Sequence, residues 1–195
     1  MKSIPDKAVD LVLTDPPYNV GLDYGDKVDD ERTDYGEWVE SWFSECKRVS
    51  KILLVTPGVA NVTLYPKPLW MGCWFKHGSP SRCPTGFNAW EPILIYGKRI
   101  GEQTTDVFDA ILESDDKALG HPCPKPVVLF RQIIELYSEP GDIVLDPFLG
   151  SGTTLLACRK TGRIGLGFEI NPDYESIIRE RSMQDVSKID EWGIA

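Results

Sequence analysis

Apolar and polar positions along the chain follow two alternating patterns, one typical of strands and the other of helices. Continuous apolar stretches rich in β-branched residues predict buried strands at 9–14, 51–56, 91–96, 142–145 and 163–168. Apolar residues spaced three and four apart predict helices at 34–49, at 126–137, from the segment 146–154 to Lys160, and at about 172–183. The tryptophans of the first helix lie on its apolar face and are expected in the core. This alternation indicates an α/β fold.

Two stretches, 19–36 and 97–120, are polar and lack a clear period. Residues 19–36 follow the first strand and are rich in glycine and acidic residues, so we expect a mobile surface loop there. That loop could close over a ligand at the end of the strand, or it could simply be solvated. Residues 97–120 predict a surface excursion that Val107, Phe108 and Ile111 hold against the core.

Between the second and third of these strands, the segment 59–89 is broken up by prolines and glycines, and only a short strand around 69–75 is predicted. Residues 57–100 contain five lysine or arginine side chains and one glutamate, a local charge of +4, whereas the whole chain carries −9. The segment also contains the aromatic residues Tyr65, Trp70, Trp74 and Phe87. Basic and aromatic side chains together are used on nucleic acids, so 59–89 is a candidate recognition insert within a single domain spanning 1–195. A chance excess of charge on a solvated loop would look the same.

The composition is that of a globular protein whose 195 residues can bury a sizeable core, with 42% hydrophobic and 26% charged residues. We expect no signal peptide and no membrane segment, because no apolar run is long enough to span a bilayer. The five cysteines include no Cys-x-x-Cys pair, which favours reduced thiols in a cytosolic protein. Cys73, His77 and Cys83 match no familiar zinc spacing, so we predict no metal site. The acidic net charge argues against non-specific polyanion binding by the whole surface.

The stretch Asp15-Pro16-Pro17-Tyr18 ends the first predicted strand. Prolines end a strand because they lack an N–H donor, and ligands of open α/β sheets bind beyond the carboxyl ends of strands. The corner offers the Asp15 carboxylate, the Pro16 carbonyl and the Tyr18 ring. The exocyclic amine of a nucleobase is a poor nucleophile because its lone pair is delocalised, and two acceptors on its hydrogens would free that lone pair while a ring stacks on the base. An ordinary proline-rich turn is the simpler interpretation of these four residues alone.

A second motif lies near the C-terminus, where 146–154, Asp-Pro-Phe-Leu-Gly-Ser-Gly-Thr-Thr, leads from a strand into a helix. Strand, Gly-x-Gly turn, helix, strand and acidic residue form a nucleoside-binding half-unit. Gly150 and Gly152 let the backbone approach a ligand, and Glu169 is placed to accept both ribose hydroxyls. A dinucleotide is a weaker candidate because Leu155 stands where a third glycine is expected. The carboxylate and ammonium of S-adenosylmethionine suit Ser151, Thr153 and Asp146.

Together, the two motifs resemble those of the DNA amino-methyltransferases, which modify adenine N6 or cytosine N4, in the motif order of the β group. Segments 90–98 and 121–126 resemble the family's late strand motif and the approach to its first cofactor helix. The resemblance implies a Rossmann-like methyltransferase fold with a mostly parallel sheet and one antiparallel strand. It also implies S-adenosylmethionine as cofactor, double-stranded DNA as substrate and a place in restriction–modification.

The resemblance also assigns roles to individual residues. The target base and its amine would be held by Asp15, Pro16, Pro17 and Tyr18. The cofactor would be bound by Asp146, Phe148, Gly150, Ser151, Gly152, Thr153 and Glu169, with Lys125 and His121 along its methionine end. The charge pattern of the insert adds three candidate DNA contacts, Lys67, Lys76 and Arg82.

The expected reaction is methylation of a base flipped out of the duplex. Adenine N6 is favoured over cytosine N4, because cytosine enzymes of this kind more often have Ser at the position of Asp15. RNA methylation and a non-catalytic subunit of a DNA modification complex stay open as alternatives. A Rossmann dehydrogenase would require nicotinamide binding instead.

One feature departs from the family pattern. In relatives, a strand and a short acidic turn usually precede the counterpart of residues 3–6, whereas this sequence begins at Met1. We therefore expect a sheet that lacks one edge strand at its N-terminal side. The chain could be a minimal enzyme, a shortened form, or a subunit completed by a homodimer or a partner subunit. The resemblance implies a cytoplasmic protein encoded by a bacterium or a phage.

Overall fold

The computed structural model describes residues 1–23, 30–77, 81–102, 105–112 and 123–183 of the chain. The strands are β1 Val9–Thr14, β2 Ser50–Val55, β3 Trp70–Phe75, β4 Ser81–Cys83, β5 Gly86–Asn88, β6 Trp90–Tyr96, β7 Val107–Asp109, β8 Ile143–Asp146 and β9 Ile164–Gly167. The α-helices are α1 Tyr35–Val49, α2 Val127–Tyr137, α3 Thr153–Thr161 and α4 Glu175–Met183. Short 3₁₀ helices span Val59–Leu64 and Pro172–Tyr174.

Within the described residues, seven of these strands form one sheet in the order β7-β3-β6-β2-β1-β8-β9. β6 is antiparallel to both of its neighbours, β2 and β3, and the other neighbouring strands are parallel. β4 and β5 pair as a separate hairpin. The predicted α/β architecture, a mostly parallel sheet with one antiparallel strand, is confirmed.

β1 lies in the middle of the sheet because its side chains are apolar on both faces. Leu11 and Leu13 pack into the cluster that includes α2 and α3, whereas Val12 packs into the cluster that includes α1. Leu11, Val12 and Leu13 are fully buried. A strand covered on both faces is typical of a parallel sheet with helices on each side.

The chain changes direction across the sheet between β1 and β8. From β1 it passes through α1 to β2 on one side, and from β8 it passes through α3 to β9 on the other side. Leu11 pairs with Val144 and Val12 with Leu145, so the two strands end at the same edge. Such a switch point opens a crevice beyond the carboxyl ends of the strands, where ligands of open α/β sheets bind.

At the far side of this crevice, β9 is the outer strand of the described sheet and pairs with β8. Ile164 and Leu166 of β9 are exposed. The opposite edge of the sheet is formed by β7, which runs parallel to β3.

The stretch 97–120 is only partly a surface excursion, because β7 within it joins the sheet. Phe108 is buried, as predicted. The prediction that Val107 and Ile111 are held against the core is wrong, since both are exposed. On an edge strand, alternate side chains face solvent, which explains Val107. Residues 103–104 and 113–122 lie outside the described residues.

In the stretch 19–36, most of the described residues are exposed, as expected of a surface loop, and Asp30 joins its two described ends. The buried Asp30 carboxylate accepts hydrogen bonds from the backbone N–H groups of Asn19 (2.6 Å), Val20 (3.1 Å) and Leu22 (2.8 Å). Residues 24–29 lie outside the described part. None of the described helices is long and apolar enough to cross a membrane.

Candidate active site

The two motifs meet in one cavity of about 500 Å³ at the switch point of the sheet. Asp15 from the first motif and Gly150 from the second both line it, together with Lys125, Asp146 and Glu169. The Thr14 hydroxyl donates to the Asp146 carboxylate over 2.7 Å, which joins the ends of the two adjacent strands directly. The predicted meeting of the motifs at one sheet edge is therefore observed.

Asp15 is held on both of its carboxylate oxygens. Oδ1 accepts hydrogen bonds from the Tyr18 hydroxyl (2.7 Å) and the Thr56 hydroxyl (2.5 Å). Oδ2 lies 2.8 Å from the ammonium of Lys125. Thr56 reaches this position because it follows β2, the parallel neighbour of β1. The carboxylate is thus oriented toward the cavity by three partners while its side chain stays 20% exposed.

The two prolines after Asp15 differ in their surroundings. Pro16 is buried, and none of the described groups donates a hydrogen bond to its carbonyl. Pro17 lines the cavity, and its carbonyl accepts a hydrogen bond from the Tyr35 hydroxyl over 2.7 Å. The Pro16 carbonyl thus has no donor among the described groups. Pro16 and Tyr18 are not among the described residues that line the cavity, so their contact with a base stays a prediction. The helix α1 holds the corner in place through Tyr35.

The Tyr18 side chain lies between two carboxylates. Its hydroxyl is 2.7 Å from Asp15 Oδ1 and 3.0 Å from Glu91 Oε2. Burial, together with these carboxylates, raises the pKa of Tyr18 well above its usual value, so the phenol stays protonated. Its ring packs against Gly58, where an added Cβ would lie 2.9 Å from the ring. The position of this ring is therefore closely confined.

Lys125 connects the two motifs. Its ammonium pairs with Asp15, whereas its backbone carbonyl accepts a hydrogen bond from the Thr153 hydroxyl in the second motif (3.2 Å). Burial by itself would lower the pKa of Lys125, but Asp15, Tyr18 and Glu91 outweigh it and raise that pKa well above the usual value. The residue is 3% exposed, so a buried cation lies beside the Asp15 carboxylate.

The Gly-Ser-Gly turn adopts a conformation that favours glycine. Gly150 and Gly152 have φ of 53° and 83°, in the left-handed region, and α3 begins directly after Gly152. The backbone N–H of Gly150 donates to Glu169 Oε2 over 2.7 Å, while Glu169 Oε1 accepts from the backbone N–H of Asn171 over 2.8 Å. The hydrogen bond between Gly150 and Glu169 thus joins the turn to the segment that follows β9 on the wall of the cavity.

Asp146 is almost fully buried at the end of β8. Its carboxylate accepts hydrogen bonds from the Thr14 hydroxyl (2.7 Å), the Thr154 hydroxyl (2.5 Å) and the backbone N–H of Phe148 (3.0 Å). Burial nevertheless raises the pKa of Asp146 to about 6. The group titrates close to neutral pH, so a positively charged ligand beside it would favour its ionised form.

Side chains of the helices α4 and α1 contact the remaining residues of the second motif. The Arg181 guanidinium, buried on α4, donates to the hydroxyls of Ser151 (2.8 Å) and Thr153 (3.0 Å). Phe148 lines the cavity and packs against Trp38 and Trp42 of α1, with ring centroids 5.4 and 5.1 Å apart. Trp42 belongs to the core as expected, whereas Trp38 also lines the cavity.

The candidate DNA contacts fall into two groups. Lys67 and Arg82 are exposed, and Arg82 lies opposite the exposed Phe87 in the β4–β5 hairpin. The prediction for Lys76 is corrected, because this lysine is buried and its ammonium pairs with Glu91 over 3.1 Å. Of the four aromatic residues of the insert, Trp70 is also exposed, while Tyr65 and Trp74 are buried in the core.

Several residues of the site were missed by sequence reasoning. Glu91, Thr56 and Arg181 contact the predicted residues but had no assigned role. The role of Glu91 could have been suspected from the sequence, because it is the only acidic residue in 57–100 and is the first residue of the otherwise apolar predicted strand 91–96. His121, predicted at the methionine end of the cofactor, lies outside the described residues. Within the described part, no three His, Cys, Asp or Glu residues cluster as metal ligands would.

The donor and acceptor groups of the cavity fit S-adenosylmethionine. A volume of about 500 Å³ suits a cofactor of this size. Carboxylates at Glu169 and Asp146 match the ribose hydroxyls and the ammonium of the ligand, and the Gly-Ser-Gly turn contributes Gly150 and Ser151 to the same cavity wall. The switch point of the sheet, the Gly-x-Gly turn and Glu169 after β9 together are typical of a nucleoside-binding α/β domain. Such a domain with groups that fit S-adenosylmethionine belongs to the methyltransferase class.

The comparison with protein families agrees. The profile of the DNA methylase family of N6 and N4 methyltransferases matches residues 9–59 and 76–180, which is most of the chain. The chain belongs to this family of S-adenosylmethionine-dependent DNA methyltransferases.

Individual relatives are distant but similar over most of their length. The type II methyltransferase M.HpaI of Haemophilus parainfluenzae is 27% identical over 93% of this chain and 70% of its own. Among solved structures, the cytosine-N4-specific PvuII DNA methyltransferase matches with a TM-score of 0.72 and 19% identity, covering 97% of this chain and 86% of that one. M1.HpyAVI, solved in complex with S-adenosylmethionine, matches with a TM-score of 0.66 and 23% identity over 91% and 90% of the two chains.

Proposed function

We propose that this chain transfers a methyl group from S-adenosylmethionine to N6 of an adenine that is flipped out of double-stranded DNA. The observation that carries the proposal is that Asp15 and Gly150, one from each motif, line the same cavity. A methyl group passes directly to an amine only when donor and acceptor are held within contact distance, and this placement supports such transfer. The amine of a stacked base cannot reach a pocket of this kind, which is why the base leaves the duplex.

Asp15 and Pro16 supply the two acceptors that the target amine needs. Hydrogen bonds from the amine to the Asp15 carboxylate and the Pro16 carbonyl favour a tetrahedral nitrogen and free its lone pair for attack. The carboxylate also stabilises the positive charge that develops on this nitrogen. The base would lie beside Tyr18, whose hydroxyl orients Asp15, and Pro17 holds the corner through its hydrogen bond with Tyr35.

S-adenosylmethionine supplies the methyl group, and the second motif binds and orients it. Glu169 accepts the ribose hydroxyls, and the Asp146 carboxylate faces the ammonium of the methionine end. The Gly-Ser-Gly-Thr turn, formed by Gly150, Ser151, Gly152 and Thr153, would lie against the carboxylate of the ligand. The N–H groups of Gly150 and Gly152 and the Thr153 hydroxyl donate within the protein, to Glu169, Leu149 and Lys125. Ser151, which lines the cavity, is therefore the residue of the turn that we propose as donor to this carboxylate. Phe148 forms an apolar wall of the same cavity. Lys125 lies at the junction of the cofactor and base sites.

The identity of residue 15 favours adenine over cytosine. The family resemblance associates Ser at this position with N4-cytosine enzymes more often than Asp, and this chain has Asp15. The similarity to the cytosine-N4-specific PvuII enzyme does not choose the base, because 19% identity concerns the fold alone. Cytosine N4 is therefore the second candidate target.

The exposed side chains of the insert supply the proposed DNA contacts. Lys67 and Arg82 are exposed and would contact phosphates, and Trp70 and Phe87 are exposed aromatic groups nearby in sequence. Lys76 is not part of this surface, because it pairs with Glu91 in the interior. The acidic remainder of the chain restricts DNA to this region.

The test is to incubate the purified chain with S-adenosylmethionine and unmethylated double-stranded DNA, and to analyse the digested nucleosides by mass spectrometry. N6-methyladenine is the expected product. N4-methylcytosine would overturn the choice of base, and methylation of RNA alone would overturn the choice of nucleic acid. Intact cofactor binding without any methylation would instead favour a subunit that requires a partner chain.

A further inference from the structure

Glu91 lies at the active-site edge because β6 is antiparallel. Val55, the last residue of β2, pairs with Leu94 of β6, so the residues before Leu94 extend past the carboxyl end of β2 toward the Asp15 corner. Glu91 is 7% exposed there. A parallel strand at the same place would carry its first residues to the opposite edge of the sheet. The reversed strand thus delivers a buried carboxylate to the base site.

The Glu91 carboxylate contacts three polar groups. Oε2 accepts a hydrogen bond from the Tyr18 hydroxyl (3.0 Å) and lies 3.5 Å from the Lys125 ammonium. Oε1 accepts from the Lys76 ammonium over 3.1 Å. Burial by itself would raise the pKa of Glu91, but Lys125, Lys76 and the Tyr18 hydroxyl outweigh it, so the pKa is below its usual value. Glu91 is therefore an ionised interior carboxylate.

The groups that contact Glu91 are also the groups that orient Asp15. The Tyr18 hydroxyl lies 2.7 Å from Asp15 Oδ1, and the Lys125 ammonium lies 2.8 Å from Asp15 Oδ2. Each oxygen of Asp15 thus has a partner that is shared with Glu91. Glu91 is almost fully buried, and its carboxylate contacts the side chains of Tyr18, Lys125 and Lys76, so we assign it a role through these partners rather than on a ligand.

The sharing has a direct electrostatic consequence. A phenol has one hydrogen, so the two carboxylates compete for the Tyr18 donor. The Lys125 charge is likewise divided between them. If the Glu91 charge is removed, Lys76 loses its carboxylate partner, and Tyr18 and Lys125 have Asp15 as their one remaining carboxylate among the described residues, so both donors shift toward Asp15. Asp15 then binds its neighbours more tightly and is less available to an incoming amine.

We propose that Glu91 is a positioning residue of the target-base site, which holds Tyr18 and Lys125 so that Asp15 can accept the amine. This inference rests on the proposed methyl transfer. It predicts a much larger effect on turnover than on cofactor binding, because Glu91 contacts the Tyr18 hydroxyl and the Lys125 ammonium, the two groups that hold Asp15. Among the described residues, its polar contacts include no residue of the Gly-Ser-Gly-Thr turn.

The experiment measures methylation of DNA by the full chain carrying Glu91→Gln, with cofactor binding followed separately by calorimetry. The expected result is a kcat lower by about 10- to 100-fold, the size of effect that misplacing a reacting group produces. The dissociation constant and KM for S-adenosylmethionine should stay within about twofold of the wild type. Glu45→Gln, which alters an Arg48-paired carboxylate on α1, is the matched control and should leave kcat unchanged.

A double-mutant cycle with Tyr18→Phe distinguishes positioning from a purely structural role. If Glu91 acts through the Tyr18 hydroxyl, Glu91→Gln should cost less kcat in the Tyr18→Phe background than in the wild type. Equal costs in both backgrounds would contradict this route. If Glu91→Gln fails to fold, the double variant Glu91→Gln, Lys76→Met removes both charges of the buried pair. Its kcat is compared with that of Lys76→Met alone. Equal kcat values in the two variants would overturn the inference.

The two proposals fail in different ways. An active wild type whose Glu91→Gln variant keeps its kcat would overturn the role of Glu91 alone. A wild type that binds S-adenosylmethionine but methylates no DNA would overturn the proposed function and this inference with it.

Discussion

The ammonium of Lys125 lies 2.8 Å from Asp15 Oδ2, between the Asp-Pro-Pro-Tyr corner and the glycine-rich turn. Its backbone carbonyl is bound at the same time by the Thr153 hydroxyl of that turn. One residue from the approach to α2 therefore fixes the spacing of the two motifs. Since methyl transfer depends on the separation of donor and acceptor, this link explains how two segments 131 positions apart can form one site.

Removing the Asp15 carboxylate should abolish methyl transfer without affecting the cofactor. Asp15→Ala loses the acceptor that polarises the amine, and we expect kcat to fall by about 100-fold or more. S-adenosylmethionine binding, measured by calorimetry, should be retained. Asp10→Asn is a matched control, because Asp10 pairs with a lysine as Asp15 does but lies near the start of β1, whereas Asp15 follows the end of this strand. Unchanged turnover in Asp15→Ala would remove Asp15 from the mechanism.

Cofactor affinity should fall as the pH drops through about 6. The raised pKa of Asp146 means that its carboxylate becomes protonated in this range, and a neutral carboxyl no longer attracts the ammonium of S-adenosylmethionine. Affinity should therefore be highest above the pKa of about 6 and decline below it. Calorimetric titrations at a series of pH values measure this. Asp146→Asn should bind weakly at each pH, and a slope as steep as that of the wild type would contradict the assignment.

Gly152→Ala should weaken cofactor binding as well as stability. The left-handed φ of 83° costs an alanine about 1–2 kcal/mol, and relief of that strain would alter the turn. Gly162, at the other end of α3, has a φ of 71° and serves as the control. Gly162→Ala should lower the free energy of unfolding by a similar amount in denaturant titrations but keep the cofactor affinity. Equal losses of affinity in both variants would indicate a general effect on stability.

Arg181→Gln should destabilise the fold and loosen the cofactor site. The buried guanidinium holds the hydroxyls of Ser151 and Thr153, and losing such charged hydrogen bonds costs about 2 kcal/mol. The free energy of unfolding and the S-adenosylmethionine affinity should both decrease. Arg179→Gln changes an exposed arginine of the same helix that pairs with Glu175, and its effect should stay near zero. A stable Arg181→Gln variant with normal affinity would contradict the role of this residue.

DNA binding should depend on Lys67 and Arg82 but not directly on Lys76. Each exposed cation that contacts a phosphate contributes about one unit to the slope of log affinity against log salt. Lys67→Gln and Arg82→Gln should each lower this slope in fluorescence titrations with duplex DNA. Lys76→Gln should leave it unchanged, because its ammonium is buried against Glu91. If only Lys76→Gln reduced the slope, Lys67 and Arg82 would not be the residues that contact DNA phosphates.

The elements with strong local signals were predictable from the sequence. The strand that ends at Thr14, the helix at 34–49 and the glycine-rich turn before α3 appear where their apolar spacing, prolines and glycines indicated. β7 and the β4–β5 hairpin were missed because three-residue strands carry too few positions to show a period. The exposed Val107 was misjudged for a related reason, since apolar character alone does not say which face of an edge strand meets the core. Ile111 lies beyond the end of β7, where no strand or helix turns its side chain toward the core.

The two motifs and the resemblance to the family could be read from the chain alone, because proline corners, glycine turns and apolar periods act on neighbouring residues and can be recognised locally. Which charged side chains meet became visible only in the folded protein. Lys76 became an interior partner of Glu91 rather than a DNA contact, and Lys125 reached Asp15 as well as the second motif. These contacts join residues far apart in the chain, and they depend on the order of the strands and on the reversed direction of β6, which no local pattern specifies.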